Sequence, residues 1–435
     1  MKIVHISPGA GGMICGACLH DNTLAGALIR QGHDVTLIPI YTPMRTDEED
    51  FSDHEVFFGA INVFLNQRSR LFRTVPTALT HFLDSPGLLR RVARADASID
   101  ATQLGALTVS MLEGEDGAQS GPLEELVASL RDHHQPDIVH LSNSLLLGMA
   151  HRLREELGIP VVCSLQGEEI FLHDLVEPYK AQVTALVRRQ AAQADAFIAP
   201  SAVYARSMAD LLGVKQERIH HVPLGIHLEG HGGPRPERAA VPFVIGYLAR
   251  ICPEKGLHLL VEAVSQLVKL RGPDALRLRV AGYLGGRDHA YFESVLEQVK
   301  AAGLEGVFEH VGEVNREEKI TFLKSLDVLS VPTPYQEPKV LFVLEALANG
   351  TPVVQPDHGA FPELIQETGG GLLCKPDDPV DLARALAELA DDPTRRQELG
   401  RRGSLAVAER YHETLMADRT LAVYHALLDA SPAGT

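Results

Sequence analysis

The chain has 435 residues, 45% of them hydrophobic, with 57 acidic against 40 basic side chains and a formal net charge of -17. That length exceeds one hydrophobic core and points to two domains of roughly 200 residues each. The acidic balance excludes nucleic acid as a general partner, because a phosphate backbone demands clustered cations. Five cysteines are too few, and odd in number, for a disulfide framework. No run of about 18 apolar residues offers a membrane span. The opening Met1-Lys2-Ile3-Val4-His5-Ile6-Ser7 lacks the apolar stretch of a secretory signal, so the cytoplasm is the expected location.

In chain order, Ile3 to Ile6 reads as a short strand, Pro8 to Gly12 as a glycine turn, and Leu24, Leu28 and Ile29 as a helix that Gly32 stops. Val35 to Ile40 follows as a second strand, completing a βαβ unit. Further strands are expected at Ile138 to Leu141, Val161 to Leu165 and Phe197 to Ala199, each separated by helical patterns. Such alternation predicts a parallel sheet covered on both faces. The run Glu229-Gly230-His231-Gly232-Gly233-Pro234-Arg235-Pro236 breaks the pattern and reads as the linker. Beyond it the alternation restarts with strands at Val244-Ile245, Leu278 to Ala281, Val328 to Val331 and Pro352 to Val354, and a helix over Leu257 to Leu270. The expected architecture is therefore α/β, two doubly wound Rossmann-like domains facing across a cleft, with ligands outside the carboxyl ends of the strands.

One segment departs from this rhythm. After the acidic Asp47, Glu48, Glu49 and Asp50, the chain carries Arg68, Arg70, Arg73, Arg90, Arg91 and Arg94 among Leu71, Phe72, Leu79, Phe82, Leu83 and Leu89. Two readings stand: a helical insertion that shapes an acceptor pocket, or peripheral contact with an anionic membrane surface through residues 68–94.

Chemistry concentrates in two stretches. In Glu337-Pro338-Lys339-Val340-Leu341-Phe342-Val343-Leu344-Glu345, Pro338 suits the first position of a helix that Gly350 ends. The amides of Lys339, Val340 and Leu341 would then form an anion site. Glu345, among Leu344, Ala346, Leu347 and Ala348, needs a partner, either a pair of ligand hydroxyls or a buried cation. In Gly246-Tyr247-Leu248-Ala249-Arg250-Ile251-Cys252-Pro253-Glu254-Lys255-Gly256, a loop between strand and helix offers Arg250 and Lys255. Two cations beside a helix N-terminus make a diphosphate clamp, although a surface salt bridge would also account for either residue.

Together these stretches resemble family 4 of the glycosyltransferases, retaining enzymes of the GT-B fold that use nucleotide-sugars. E-x₇-E (Glu337, Glu345) and R-x₄-K (Arg250, Lys255) stand at that family's spacing. Asp195 to Ser201, Val222 to Ile226, Gly11-Gly12, Phe361-Pro362-Glu363 and Gly369 to Leu373 match its other segments in order, so the resemblance covers nearly the whole chain. It implies an acceptor-binding domain over 1–232, joined by a returning helix at 413–435, and a donor-binding domain over 233–412. It implies that Glu345 binds the nucleotide ribose, that Glu337 approaches the donor sugar, and that Arg250 and Lys255 neutralise the departing diphosphate, with Lys339, Val340 and Leu341 beside them. Gly11 and Gly12 fall on the acceptor side. No metal or other cofactor is required by such a reaction.

The chain departs from the family at three places. Lys339 and Val340 replace an aromatic residue and a glycine, Gln166 replaces a histidine that often touches the donor sugar, and Leu224-Gly225-Ile226-His227 replaces the usual closing segment. His140 and His173 lie nearest the expected cleft, and His173 is a candidate for the role vacated at Gln166. These departures leave room for a nucleotide-sugar sensor or scaffold and, less readily, a nucleotide-sugar epimerase. A nicotinamide dehydrogenase fits poorly because Ile14 takes the place of the third glycine of G-x-G-x-x-G. Cys15-Gly16-Ala17-Cys18 could run disulfide exchange or supply half a zinc site; the favoured reading is that small residues let the glycine loop pack closely. The nucleotide base, the sugar, the acceptor and the oligomeric state are not written in these motifs.

Overall fold

The apolar runs of the N-terminal half are short and continuous rather than alternating, the pattern of strands buried on both faces. In the computed structural model, which describes residues 1–9, 15–53, 101–236 and 241–430, they form β1 (Lys2–Ser7), β2 (Asp34–Pro39), β3 (Ile138–Leu141), β4 (Val161–Ser164), β5 (Ala196–Ala199) and β6 (Ile219–His221). All pairs are parallel, in the order β2-β1-β3-β4-β5-β6. The expected Gly11-Gly12 loop and the arginine-rich stretch 68–94 lie outside the described residues.

The first helix, Gly16–Arg30, begins well before Leu24 and is buried along most of its length, including the polar residues His20, Asp21, Asn22 and Thr23. A helix so enclosed must satisfy those groups internally, and the way it does so builds the site described below. The last helix, Glu413–Ala430, belongs to this same unit, which comprises Met1–Gly225 and Glu413–Thr435. Its Met416, Ala417, Val423 and Tyr424 pack with Ile3, Leu24, Leu28, Ile138 and Val162. Gln31 Nε2 donates to Asp418 Oδ1 at 2.7 Å at the rim.

The second unit, Ile226–His412, carries β7 (Phe243–Leu248), β8 (Leu276–Ala281), β9 (Phe308–Gly312), β10 (Val328–Leu329), β11 (Val353–Pro356) and β12 (Gly371–Cys374). Its sheet is again parallel, in the order β12-β11-β10-β7-β8-β9. Its core gathers Ile245, Tyr247, Val261, Val264, Val280, Val328, Val354 and Leu386. The dividing point falls at Gly225/Ile226, upstream of the glycine- and proline-rich run. That run is no free tether. Ile226 N donates to Tyr411 O at 2.9 Å, Arg316 holds the carbonyls of His227 and Glu229 at 2.8 Å, and Arg235 Nη1 donates to Gly350 O at 2.8 Å. Backbone carbonyls that would otherwise face water are bound to arginines of the second unit, so the segment is part of it.

Each sheet reverses its strand order once, between β1 and β3 in the first unit and between β7 and β10 in the second. Loops leave in opposite directions at such a point and open a crevice at the strands' carboxyl ends. Among the described residues no helix is long and apolar enough to cross a membrane.

Candidate active site

In the second unit the loop after β7 and the loop after β10 flank that crevice. Gly256 has φ +68°, and a Cβ there would sit 1.9 Å from Pro332 O, so only glycine lets the first loop close on the second. This brings Lys255 to Tyr335 and Glu337. Lys255 Nζ donates to Tyr335 OH at 2.7 Å and to Glu337 Oε2, and Tyr335 OH donates to the same carboxylate oxygen at 2.7 Å. The ammonium also lies 5.2 Å from the Tyr335 ring centroid and 5.8 Å from that of Phe342. Glu337 is 4% exposed. Burial, with the Glu337 charge beside it, pushes the Tyr335 hydroxyl far above the usual phenol range, so it stays a proton donor.

Glu337 is fixed from behind. Gly359 (φ +61°) approaches so closely that a Cβ would meet Glu337 N at 2.6 Å, and Ala360 N donates to Glu337 O at 2.9 Å. This anchoring corrects an expectation from the sequence. Pro338 does not open the helix: the segment is held against Gly359–Ala360, and the helix runs Leu341–Ala348 with Val340 as its cap. The amides of Lys339 and Val340 therefore lie outside it, and Leu341 supplies the first helical N–H. Lys339 is half-buried; Val340 and Leu341 are buried.

Glu345 does have a buried cation: Lys319, from the helix Arg316–Lys324, forms an ion pair with it, both side chains being less than a tenth exposed. Lys319 shares helical spacing with the buried Phe322 and Leu323. A lysine on the apolar side of a helix is the signal that could have identified it. Tyr335 had no comparable signal. Arg250 stands in the Lys255 loop, but its side chain is not in the Glu337 cluster. Its Nε donates to Cys252 Sγ at 3.2 Å and its Nη2 lies 3.6 Å from Glu254 Oε2. Burial pushes the Cys252 thiol up to about 11, so it remains protonated at neutral pH. The structure thus joins Lys255 to Glu337, pairs Glu345 with Lys319, and leaves Arg250 at the loop's edge with Glu254.

The first unit holds a second polar cluster at its own switch point. His5 of β1 and His140 of β3 are register partners and stack at 4.4 Å with 9° between planes. Below them Asp21, fully buried, accepts from Ser7 Oγ at 2.9 Å, Ser142 Oγ at 2.5 Å and Gln166 Nε2 at 2.7 Å; His20 Nδ1 lies at 3.2 Å and His5 Nε2 at 3.4 Å. Burial by itself would raise the Asp21 carboxyl, but the His5 and His20 imidazoles hold it well below the usual carboxylate range. Burial, with His5 alongside, pushes His140 well below the usual imidazole value. The neutral ring bridges Tyr424 OH at 2.6 Å and Ser164 Oγ at 2.8 Å.

Two sequence expectations change here. His140 is fully buried and locked between Tyr424 and Ser164, so it cannot line a cleft. His173 is exposed on the helix Glu168–Asp174, outside the Gln166 cluster, and cannot stand in for it. Gln166 is 8% exposed, and its amide nitrogen also reaches Ser142 O at 2.8 Å and Ser142 Oγ at 3.1 Å, so it serves to brace Asp21. Asp21 was legible only indirectly, as an acid at helical spacing from Leu24 and Leu28. Cys15 caps the same helix, and Cys18 is buried among Ala25, Leu37 and Met44; both are free thiols. Spacing alone suggested no metal-ligand cluster, but the fold brings the exposed Glu115, His151 and Glu155 together, with one ligand atom of each within 4.8 Å of the others. Glu155 there already faces Arg152 Nη1 at 3.4 Å.

Residues 115–229 match the family model for Glycosyltransferase Family 4, and residues 235–405 match that for Glycosyl transferases group 1. A D-inositol 3-phosphate glycosyltransferase of Nocardia farcinica is 26% identical over 306 residues, 67% of each chain. The structure of sucrose-phosphate synthase from Thermosynechococcus elongatus matches 99% of this chain and 100% of its own, with TM-score 0.72 at 18% identity. That of Anabaena HepE in complex with UDP-glucose matches 98% and 100%, with TM-score 0.67 at 15% identity. At such identity the two structures speak to the fold alone, and that fold is GT-B. With both units matched in their order along the chain, the protein belongs to the family 4 glycosyltransferases.

Proposed function

We propose that this glycosyltransferase moves a sugar, with retention of anomeric configuration, from a nucleotide-diphosphate sugar bound by the second unit to a hydroxyl of an acceptor on the first. The observation that carries the reading is the Lys255–Tyr335–Glu337 cluster at the crevice of the second sheet. The Lys255 ammonium, whose counter-charge is a single carboxylate, can turn its remaining hydrogen toward a diphosphate. Arg250, at the edge of the same loop, can turn from Glu254 toward the same anion. Cations already in place where negative charge develops on the leaving group stabilise the transition state; one such donor is worth roughly 10²–10³ in rate. Two cations at this loop can do this without a metal ion.

In this reading Glu337, braced by Gly359 and Ala360, lies along the donor sugar. Glu345 meets the ribose hydroxyls, its carboxylate steadied by Lys319. The first unit presents the acceptor. The inositol phosphate transferase among its relatives makes a phosphorylated polyol a reasonable first acceptor to try, and the UDP-glucose complex of HepE does the same for the donor. The domain roles and the cytoplasmic setting expected from the sequence belong to the same proposal.

The test is incubation with labelled UDP-, GDP- and ADP-sugars in the presence of D-inositol 3-phosphate and related polyols. Transfer with the anomeric coupling of the donor preserved supports the reading; an inverted product removes the retaining mechanism. Binding with neither hydrolysis nor transfer favours a nucleotide-sugar sensor, a possibility that the departures at Lys339, Val340 and Gln166 keep in play. Return of an epimerised nucleotide-sugar favours an epimerase.

A further inference from the structure

Three groups at the crevice of the second unit close a triangle of hydrogen bonds. Lys255 Nζ donates to Tyr335 OH at 2.7 Å and to Glu337 Oε2, and Tyr335 OH donates to that same oxygen at 2.7 Å. An ammonium only donates and a carboxylate only accepts, so the phenol gives its one hydrogen to Glu337 and takes one from Lys255. Two of the three ammonium hydrogens are thereby committed, which fixes rotation about the Lys255 Cε–Nζ bond. The direction of the third hydrogen follows from the other two. The Lys255 side chain is 18% exposed and that of Glu337 5%, so an anion arriving from solvent meets the ammonium before the carboxylate.

The Tyr335 hydroxyl does two things here that its ring cannot. As an acceptor it is the second partner that stops the ammonium turning about its contact with Glu337. As a donor it shares Glu337 Oε2 with Lys255, and so takes up part of the lysine's counter-charge. Burial beside Glu337 keeps the hydroxyl protonated for that purpose. Its backbone is tied down by Thr333 Oγ1, which donates to Tyr335 O at 3.2 Å. The rings of Tyr335 and Phe342, 5.2 and 5.8 Å from the ammonium, hold the position of Lys255 but not its rotation.

We infer that Tyr335 is a positioning residue for the donor diphosphate: its hydroxyl turns the third N–H of Lys255 toward the second phosphate of the nucleotide. The inference deepens the proposed reading and rests on it for Lys255 as a diphosphate ligand. Its consequence is selective. Loss of the hydroxyl should weaken ligands that carry the second phosphate and leave those without it alone.

The test is calorimetric binding of UDP, GDP and ADP, each against its monophosphate, to native protein and to Tyr335→Phe, which keeps the ring and removes only the hydroxyl. For the diphosphate that binds, affinity should fall about tenfold, the typical worth of one lost hydrogen bond. Affinity for the matching monophosphate should stay unchanged, which also shows that the variant is folded. With the nucleotide-sugar of the same base, kcat should fall about tenfold and KM change less, because the third N–H matters most as charge grows on the departing diphosphate. Equal losses for diphosphate and monophosphate would reduce Tyr335 to packing and overturn the inference, as would an undiminished diphosphate affinity. Failure of the broader reading shows itself separately, as native protein that binds a diphosphate but transfers no sugar; the contrast in affinity then decides the inference by itself. Native protein that binds none of the three diphosphates overturns both.

Discussion

The two units bury carboxylates at matching points of matching sheets and neutralise them by opposite means. In the second unit Glu337 and Glu345 each face a lysine, Lys255 and Lys319. In the first unit Asp21 faces hydroxyls, an amide and imidazoles. A buried ion pair has a large desolvation cost and a large mutual attraction, so another anion can compete for the cation. A carboxylate satisfied by short neutral hydrogen bonds has nothing to exchange. The contrast suggests a division of labour, with the second unit's charges available to a charged ligand and the first unit's charge serving as a frame for the groups around it.

The sharpest way to break that contrast is to strip one partner from an ion pair. Lys319→Met leaves Glu345 buried without its cation and should cost about 3–5 kcal/mol in urea unfolding of the second unit. The double variant Lys319→Met/Glu345→Leu should recover most of that loss. An equal loss in both would mean that packing, not charge, dominates the site. Lys255→Met should lower the transfer rate roughly 10²–10³-fold and abolish the thermal shift given by UDP-glucose. Glu337 keeps the Tyr335 hydrogen bond, so the stability loss should be smaller than for Lys319.

The frame in the first unit should declare itself through pH. His140 is held neutral in the native fold, so the unfolded chain binds the extra proton once the pH falls below about 6.5. Its contribution is present above that pH and declines as the medium acidifies, by at most about 1.4 kcal/mol per pH unit. Asp21 is depressed, so its contribution is present above about 3.9 and is lost only as the pH falls through its lower native value. Acid unfolding should therefore begin with the imidazole, and His140→Gln should flatten the slope between about pH 6.5 and 5. Smallest of all, Tyr424→Phe removes one buried hydrogen bond to His140 and should cost about 1 kcal/mol, loosening the last helix without altering donor affinity.

Much of this could be read along the chain. The continuous apolar strands, the stop at Gly32 and the restart after Pro236 predict two parallel α/β units, because burial on both faces leaves a pattern that needs no knowledge of the partner strands. The spacing of Glu337 and Glu345, and of Arg250 and Lys255, singled out four side chains, of which the fold joins Lys255 to Glu337. Helix boundaries were less legible. Pro338 is a good first helical residue, but the contact of Glu337 with Gly359 and Ala360, far along the chain, keeps it outside the helix.

The amino-acid order by itself determined the fold class, the order of strands and helices, and which loops carry cations and carboxylates, since these follow from local periodicity and turn chemistry. Only the tertiary structure decided who partners whom: Lys255 and Tyr335 with Glu337, Lys319 with Glu345, Asp21 with Ser7, Ser142, Gln166 and His20, and Tyr424 with His140. Those pairings depend on strand order and on the close approach of loops distant in sequence, and no local pattern encodes a distance between them.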